Sequence, residues 1–93
     1  MTVDDGAAKA LVNRGSSLLA VGIREVDGAF AEGDVLDVCD SSGMVVARGI
    51  AEADSDVLEL AAGRRQDQIA GNRLLADLAE KPAIHRDNLI VFA

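Results

Sequence analysis

The chain has 93 residues, enough for one domain with one modest core. Sixteen acidic residues against nine basic ones give a net charge of −7, which leaves no broad basic face and argues against a free-standing nucleic-acid binder. Phe30 and Phe92 are its only aromatics, so the core must be aliphatic, and the base-stacking platforms of single-strand binders are missing.

Cys39 is the single cysteine, which excludes an internal disulfide and any multi-cysteine metal site. In the strand-like phrase Leu36-Asp37-Val38-Cys39-Asp40 it reads as a small buried hydrophobe. Flanking carboxylates raise a thiol pKa, the opposite of activation. No apolar run approaches the ~20 residues that span a bilayer. Met1 to Asp5 lacks the basic and apolar regions of a signal peptide, so the expected compartment is the cytoplasm, with no membrane partner.

Residues 1–6 read as a polar lead-in or linker remnant, ahead of a domain spanning 7–93. Ala7 to Arg14 is rich in helix formers, Asp5 or Gly6 suits its start, and Gly15 suits a left-handed stop. Its apolar stripe is Ala7, Ala10 and Leu11. Leu19, Val21 and Ile23 then alternate with Ala20, Gly22 and Arg24, a strand pattern closed by Asp27-Gly28. Val26 breaks the alternation, which predicts a bulge or a change of face near Glu25.

After a turn at Gly33-Asp34, Val35 to Cys39 and Val45 to Ile50 flank Asp40-Ser41-Ser42-Gly43, the signature of a β-hairpin. Several strands are apolar on both faces, as when a sheet curls into a small barrel. Ser55 to Gly63 predicts a helix, with Ser55 as N-cap and Gly63 as its end. Asp67 to Leu78 predicts a second helical stretch, interrupted at Gly71-Asn72 and stopped by Pro82. Leu89 to Phe92 predicts a final strand buried on both sides.

Chemistry is harder to find. Gly28 and Gly33 have the spacing of a phosphate-binding loop, but Asp34-Val35 stands where Lys and Ser/Thr are required. His85-Arg86-Asp87-Asn88-Leu89 resembles a protein-kinase catalytic loop without the partners that loop needs. The serines fall in turn or cap contexts, and a lone His85 offers no metal cluster, so it reads as structural or solvent-facing. No catalytic residue, metal site or cofactor site is expected in this chain. The basic residues form two sets: Lys9, Arg14 and Arg24, then Arg64, Arg65, Arg73, Lys81 and Arg86. Each reads first as solvated surface.

Several collinear phrases nevertheless carry a resemblance. They are Gly6-Ala7-Ala8-Lys9-Ala10-Leu11, Gly15-Ser16-Ser17-Leu18-Leu19-Ala20-Val21-Gly22-Ile23, Val26-Asp27-Gly28-Ala29-Phe30 with Gly33-Asp34-Val35, and Val46-Ala47-Arg48-Gly49-Ile50. The series closes on Ile84-His85-Arg86-Asp87-Asn88-Leu89-Ile90-Val91. Over residues 6–92 the chain resembles the C-terminal PUA domain of bacterial glutamate 5-kinases. It departs from that pattern at residues 66–83.

The resemblance implies a mainly β, α+β fold: a PUA-like pseudo-barrel of mixed strands with short helices. It implies an accessory domain, concerned with assembly or regulation, in an enzyme that phosphorylates glutamate with ATP and Mg at the first step of proline biosynthesis. Catalysis there belongs to an amino-acid-kinase domain, which is then the expected partner, alongside homo-oligomerisation. The alternative it implies is an RNA-binding module, disfavoured by the net charge. Candidate RNA or partner contacts carried over from the family are Lys9, Arg14, Gly15, His85 and Arg86.

Overall fold

The structure, a computed structural model, describes residues 1–92. The chain opens directly in the sheet. Thr2–Val3 forms strand β1, with Val3 fully buried and Met1 nearly so. Residues 1–6 are therefore part of the domain, which corrects the expectation of a lead-in. The Met1 N–H group donates to the Asp37 carbonyl at 3.0 Å, and the Met1 carbonyl accepts from the Cys39 N–H at 2.8 Å.

Helix α1 (Asp5–Arg14) follows, capped by Asp4, whose carboxylate accepts the Ala7 N–H at 2.7 Å. Gly15 ends it at φ 60°, donating to the Ala10 carbonyl as an L residue could do only with strain. Its buried face is centred on Ala8 and Leu11, with Ala7 and Ala10 half-buried.

The next segment differs from its sequence pattern. Ala20–Gly22 is a 3₁₀ turn, and strand β2 is only Ile23–Glu25. The buried set is Leu18, Ala20 and Gly22, whereas Leu19 and Val21 face outward. The reason is steric. A Cβ on Gly22 would lie 2.6 Å from the Cβ of Ala7, so only the smallest residues can pass beneath α1. Of the two expectations near Glu25, a bulge or a change of face, the structure has the bulge: Thr2 pairs with Glu25 and Val3 with Ile23, which leaves Arg24 as the extra residue.

Strands β3 (Val35–Cys39) and β4 (Val45–Ile50) form the expected hairpin. Helix α2 (Ser55–Ala61) starts one residue after its N-cap, Asp54. Ser55, expected as the cap, is buried instead and its hydroxyl accepts the Phe30 N–H at 3.2 Å. The second helical stretch divides where Gly71-Asn72 predicted. Helix α3 (Gln66–Ala70) ends there, and the Asn72 side chain caps a 3₁₀ run over Arg73–Leu78. Gln66 ties the two pieces, its Nε2 donating to the carbonyls of Leu78 and Ala79.

Strand β5 (Leu89–Val91), preceded by a 3₁₀ turn at Arg86–Asn88, completes a mixed sheet of order β2–β1–β3–β4–β5. Among the described residues, only the β1–β3 pair is parallel. β5 is an edge strand, and Ile90 is 67% exposed, so the expectation of burial on both sides is corrected. The segments leading into the two edge strands meet. Leu18 donates to the Ile84 carbonyl at 2.9 Å and accepts from the Ala83 N–H at 2.8 Å. The sheet thus curls toward closure, the pseudo-barrel of mixed strands expected from the sequence. Leu11, Leu58, Ile69, Leu75 and Ile84 fill its aliphatic core.

The β3–β4 turn depends on one carboxylate. Asp40 Oδ1 accepts from the Ser42 N–H at 2.9 Å, the Ser42 hydroxyl at 2.6 Å and the Met44 N–H at 3.1 Å. These bonds, the Ser42 hydroxyl's foremost, hold the Asp40 carboxyl below its ordinary pKa. A pKa lower in the folded state than in the unfolded chain means stabilisation present above the ordinary carboxylate range and lost as pH falls through the folded value. Asp40→Asn is therefore expected to melt below the parent chain at pH 6. Thermal melts repeated toward pH 3 should show that gap closing; a gap independent of pH would contradict the ionised turn.

Candidate functional site

The candidate residues lie on two loops that the fold joins. Arg14 and Gly15 end α1, and Lys9 lies further back along the same helix. His85 and Arg86 precede β5. The Ser17 hydroxyl accepts the Arg86 N–H at 2.9 Å, directly below the Leu18–Ile84 bridge. Residues 69 positions apart in sequence are thereby locked together at one end of the barrel.

His85 has a local task. Its Nδ1 accepts the Asp87 N–H at 3.1 Å and so caps the 3₁₀ turn that presents Arg86. The Asp87 carboxylate lies 3.5 Å from the same nitrogen. The His85 ring thus braces its own turn while its side chain stays partly exposed. Lys9, Arg14 and Arg86 are exposed, and none forms an ion pair among the described residues.

Beside this joint runs a shallow groove of about 280 Å³, bounded by Ala7, Ala10, Ser16, Leu18, Leu19 and Val21. Its lining is largely apolar, and Leu19 and Val21 are 44% and 45% exposed. Asp4 is its one charged lining residue, and an apolar groove of this kind can seat an extended, amphipathic partner. The groove was hidden in the sequence because the apolar alternation assigned Leu19 and Val21 to the core. The small residues Ala20 and Gly22 were the signal for the opposite phase.

Other candidates dissolve into local structure. Asp34, in the loop with phosphate-loop spacing, uses its carboxylate to accept the Ala31 N–H at 2.9 Å. Gly28 and Gly33 have positive φ and serve turns. Ser41 and Ser42 donate to Asp5 and Asp40, and the hydroxyls of Ser17 and Ser55 accept backbone N–H groups. Of the later basic set, Arg64 donates to the Leu60 carbonyl and Arg65 pairs with Asp67 at 3.3 Å. Among the described residues, no three His, Cys, Asp or Glu side chains come together to hold a metal, and no helix is long and apolar enough to cross a membrane.

A second exposed area lies on the outer face of β3, β4 and β5. Val35, Ile50, Ile90 and Phe92 surround Arg48, which pairs with Asp37 at 2.7 Å and lies 5.6 Å from the Phe92 ring centre. The hydrogen bond to Asp37 raises the pKa of Arg48, keeping it charged.

Comparison with known proteins bears on this arrangement. A family profile described as PUA domain matches residues 1–71. The glutamate 5-kinase of Pectobacterium atrosepticum is 45% identical over 91 residues, 98% of this chain and 24% of that protein. That of Yersinia enterocolitica is 43% identical over the same shares. This chain thus spans about a quarter of the length of these relatives. Among solved structures, a PUA domain from Aeropyrum pernix K1, crystallised as a tartrate complex, superposes with a TM-score of 0.65 at 32% identity, covering 91% of this chain and 39% of that one. A conserved PUA domain protein from Thermoplasma acidophilum gives 0.64 at 28% identity, over 98% of this chain and 46% of that one.

Proposed function

The chain belongs to the PUA domain family, and we propose that it serves as the C-terminal accessory domain of a glutamate 5-kinase, acting in assembly or regulation of the kinase. The observation that carries this reading is identity of up to 45% along 98% of the chain with one quarter of such enzymes. The catalytic work, ATP- and Mg-dependent phosphorylation of glutamate for proline biosynthesis, then falls to the remainder of the polypeptide, in the cytoplasm. The joint of Lys9, Arg14, Gly15, His85 and Arg86, with its apolar groove, is the proposed contact surface for a partner, either the kinase domain or a second copy.

The experiment compares the full-length enzyme with a version lacking residues 1–93. The truncated enzyme is expected to keep phosphotransfer to glutamate while its oligomer size or its response to proline changes. Unchanged assembly and unchanged regulation would remove the proposal. The rival, RNA recognition by the same surface, predicts salt-sensitive binding of structured RNA that weakens when Arg14 and Arg86 are replaced. The net charge of −7 weighs against it.

A further inference from the structure

A second concavity, of about 500 Å³, lies elsewhere, between Met1, the Asp27–Phe30 turn and the first half of β3. Its geometry is that of an unfinished strand pair. β1 has two residues while its parallel neighbour β3 has five. The ladder between them already extends one residue back, through Met1 N–H to the Asp37 carbonyl and Cys39 N–H to the Met1 carbonyl.

In a strand, alternate residues turn both backbone groups to the same side. Val35 and Asp37 therefore direct a free carbonyl and a free N–H into the concavity, in register with a residue two positions before Met1. Val35, 63% exposed, and half-buried Phe30 supply apolar walls. We propose that this groove receives the polypeptide that immediately precedes Met1 in the longer protein, as an extended segment that continues β1 along β3. The inference rests on the reading of this chain as one module of a larger enzyme, of which relatives hold three quarters outside the matched region.

The consequence is mechanical. A linker paired into the sheet enters the domain in a fixed direction, so the module is oriented relative to what precedes it instead of tethered loosely.

The test lengthens the chain by the residues encoded directly upstream of Met1, and separately by an equally long Gly-Ser extension. Amide exchange at Asp37 is followed by NMR. The native extension is expected to slow exchange at Asp37 by at least roughly tenfold relative to Gly-Ser. Proline placed at the second residue before Met1, which lacks the N–H for the Val35 carbonyl, should weaken that protection. Equal exchange with both extensions overturns the groove proposal and leaves the accessory-domain reading standing. A reading frame that starts at Met1 overturns both.

Discussion

Gly49→Ala is expected to destabilise the domain by about 3 kcal/mol, the upper end of the usual cost of overpacking. Gly49 lies in β4 between Leu36 on β3 and Leu89 on β5. A Cβ at this position would sit 2.6 Å from Ile84 Cγ2 and 2.8 Å from the backbone carbonyl oxygen of Asn88. The side-chain contact can relax by a rotation of Ile84, but Ile84 is fully buried and has little room. The backbone contact can relax only if the Arg86–Asn88 turn moves, which would loosen β5 from β4 and displace Arg86. In a domain this small the loss corresponds to a fall in melting temperature of roughly 12–24 °C. A double-mutant cycle identifies the cause. Ile84→Ala removes one of the two obstacles, so the double variant should cost less than the sum of its parts. Strict additivity would show that the Ile84 contact carries none of the cost. Far-UV circular dichroism is the suitable probe, because the chain has no Trp or Tyr.

Gly49 also illustrates what a sequence discloses. Its position inside an apolar strand was plain, while its necessity depends on a loop 35 residues further on that packs across it. The same division holds throughout. Local signals were legible: Gly15 closing α1, the Asp40–Gly43 turn, and Asn72 dividing the second helical stretch all act through bonds spanning a few residues. Long-range selection was not. Leu89 to Phe92 carries four apolar residues that look the same on a central or an edge strand, and only the sheet order makes Ile90 a surface residue. At the candidate site, Arg14 and Arg86 were grouped by family resemblance. The Ser17 bond that physically joins their loops has no local signature, because a serine in a turn context is unremarkable. Cys39, expected to be buried, is only partly covered, being the last residue of β3.

Deletion of residues 1–3 is expected to abolish the cooperative unfolding transition. This is the sharpest contrast with the reading of residues 1–6 as a lead-in, since loss of a lead-in would leave the melting temperature unchanged. β1 stands between β2 and β3, so its removal leaves β2 without a strand neighbour and opens the sheet beside Val38. Met1 and Val3 are 7% and 0% exposed, and burial of two such side chains contributes about 3–6 kcal/mol. The ladder to Asp37 and Cys39 is lost as well, and Asp4, whose N–H donates to the Gly22 carbonyl while its carboxylate caps α1, loses its anchorage. The total stability of a domain of this size is only about 5–14 kcal/mol, so the deletion consumes much or all of it. Val3→Ala gives a graded version that should still fold: about 2 kcal/mol by urea titration, for the lost methyl groups and the cavity they leave. A deletion variant that melted like the parent chain would mean that β2 is held by α1 and the Leu18–Ile84 bridge alone, and that the sheet closes without β1.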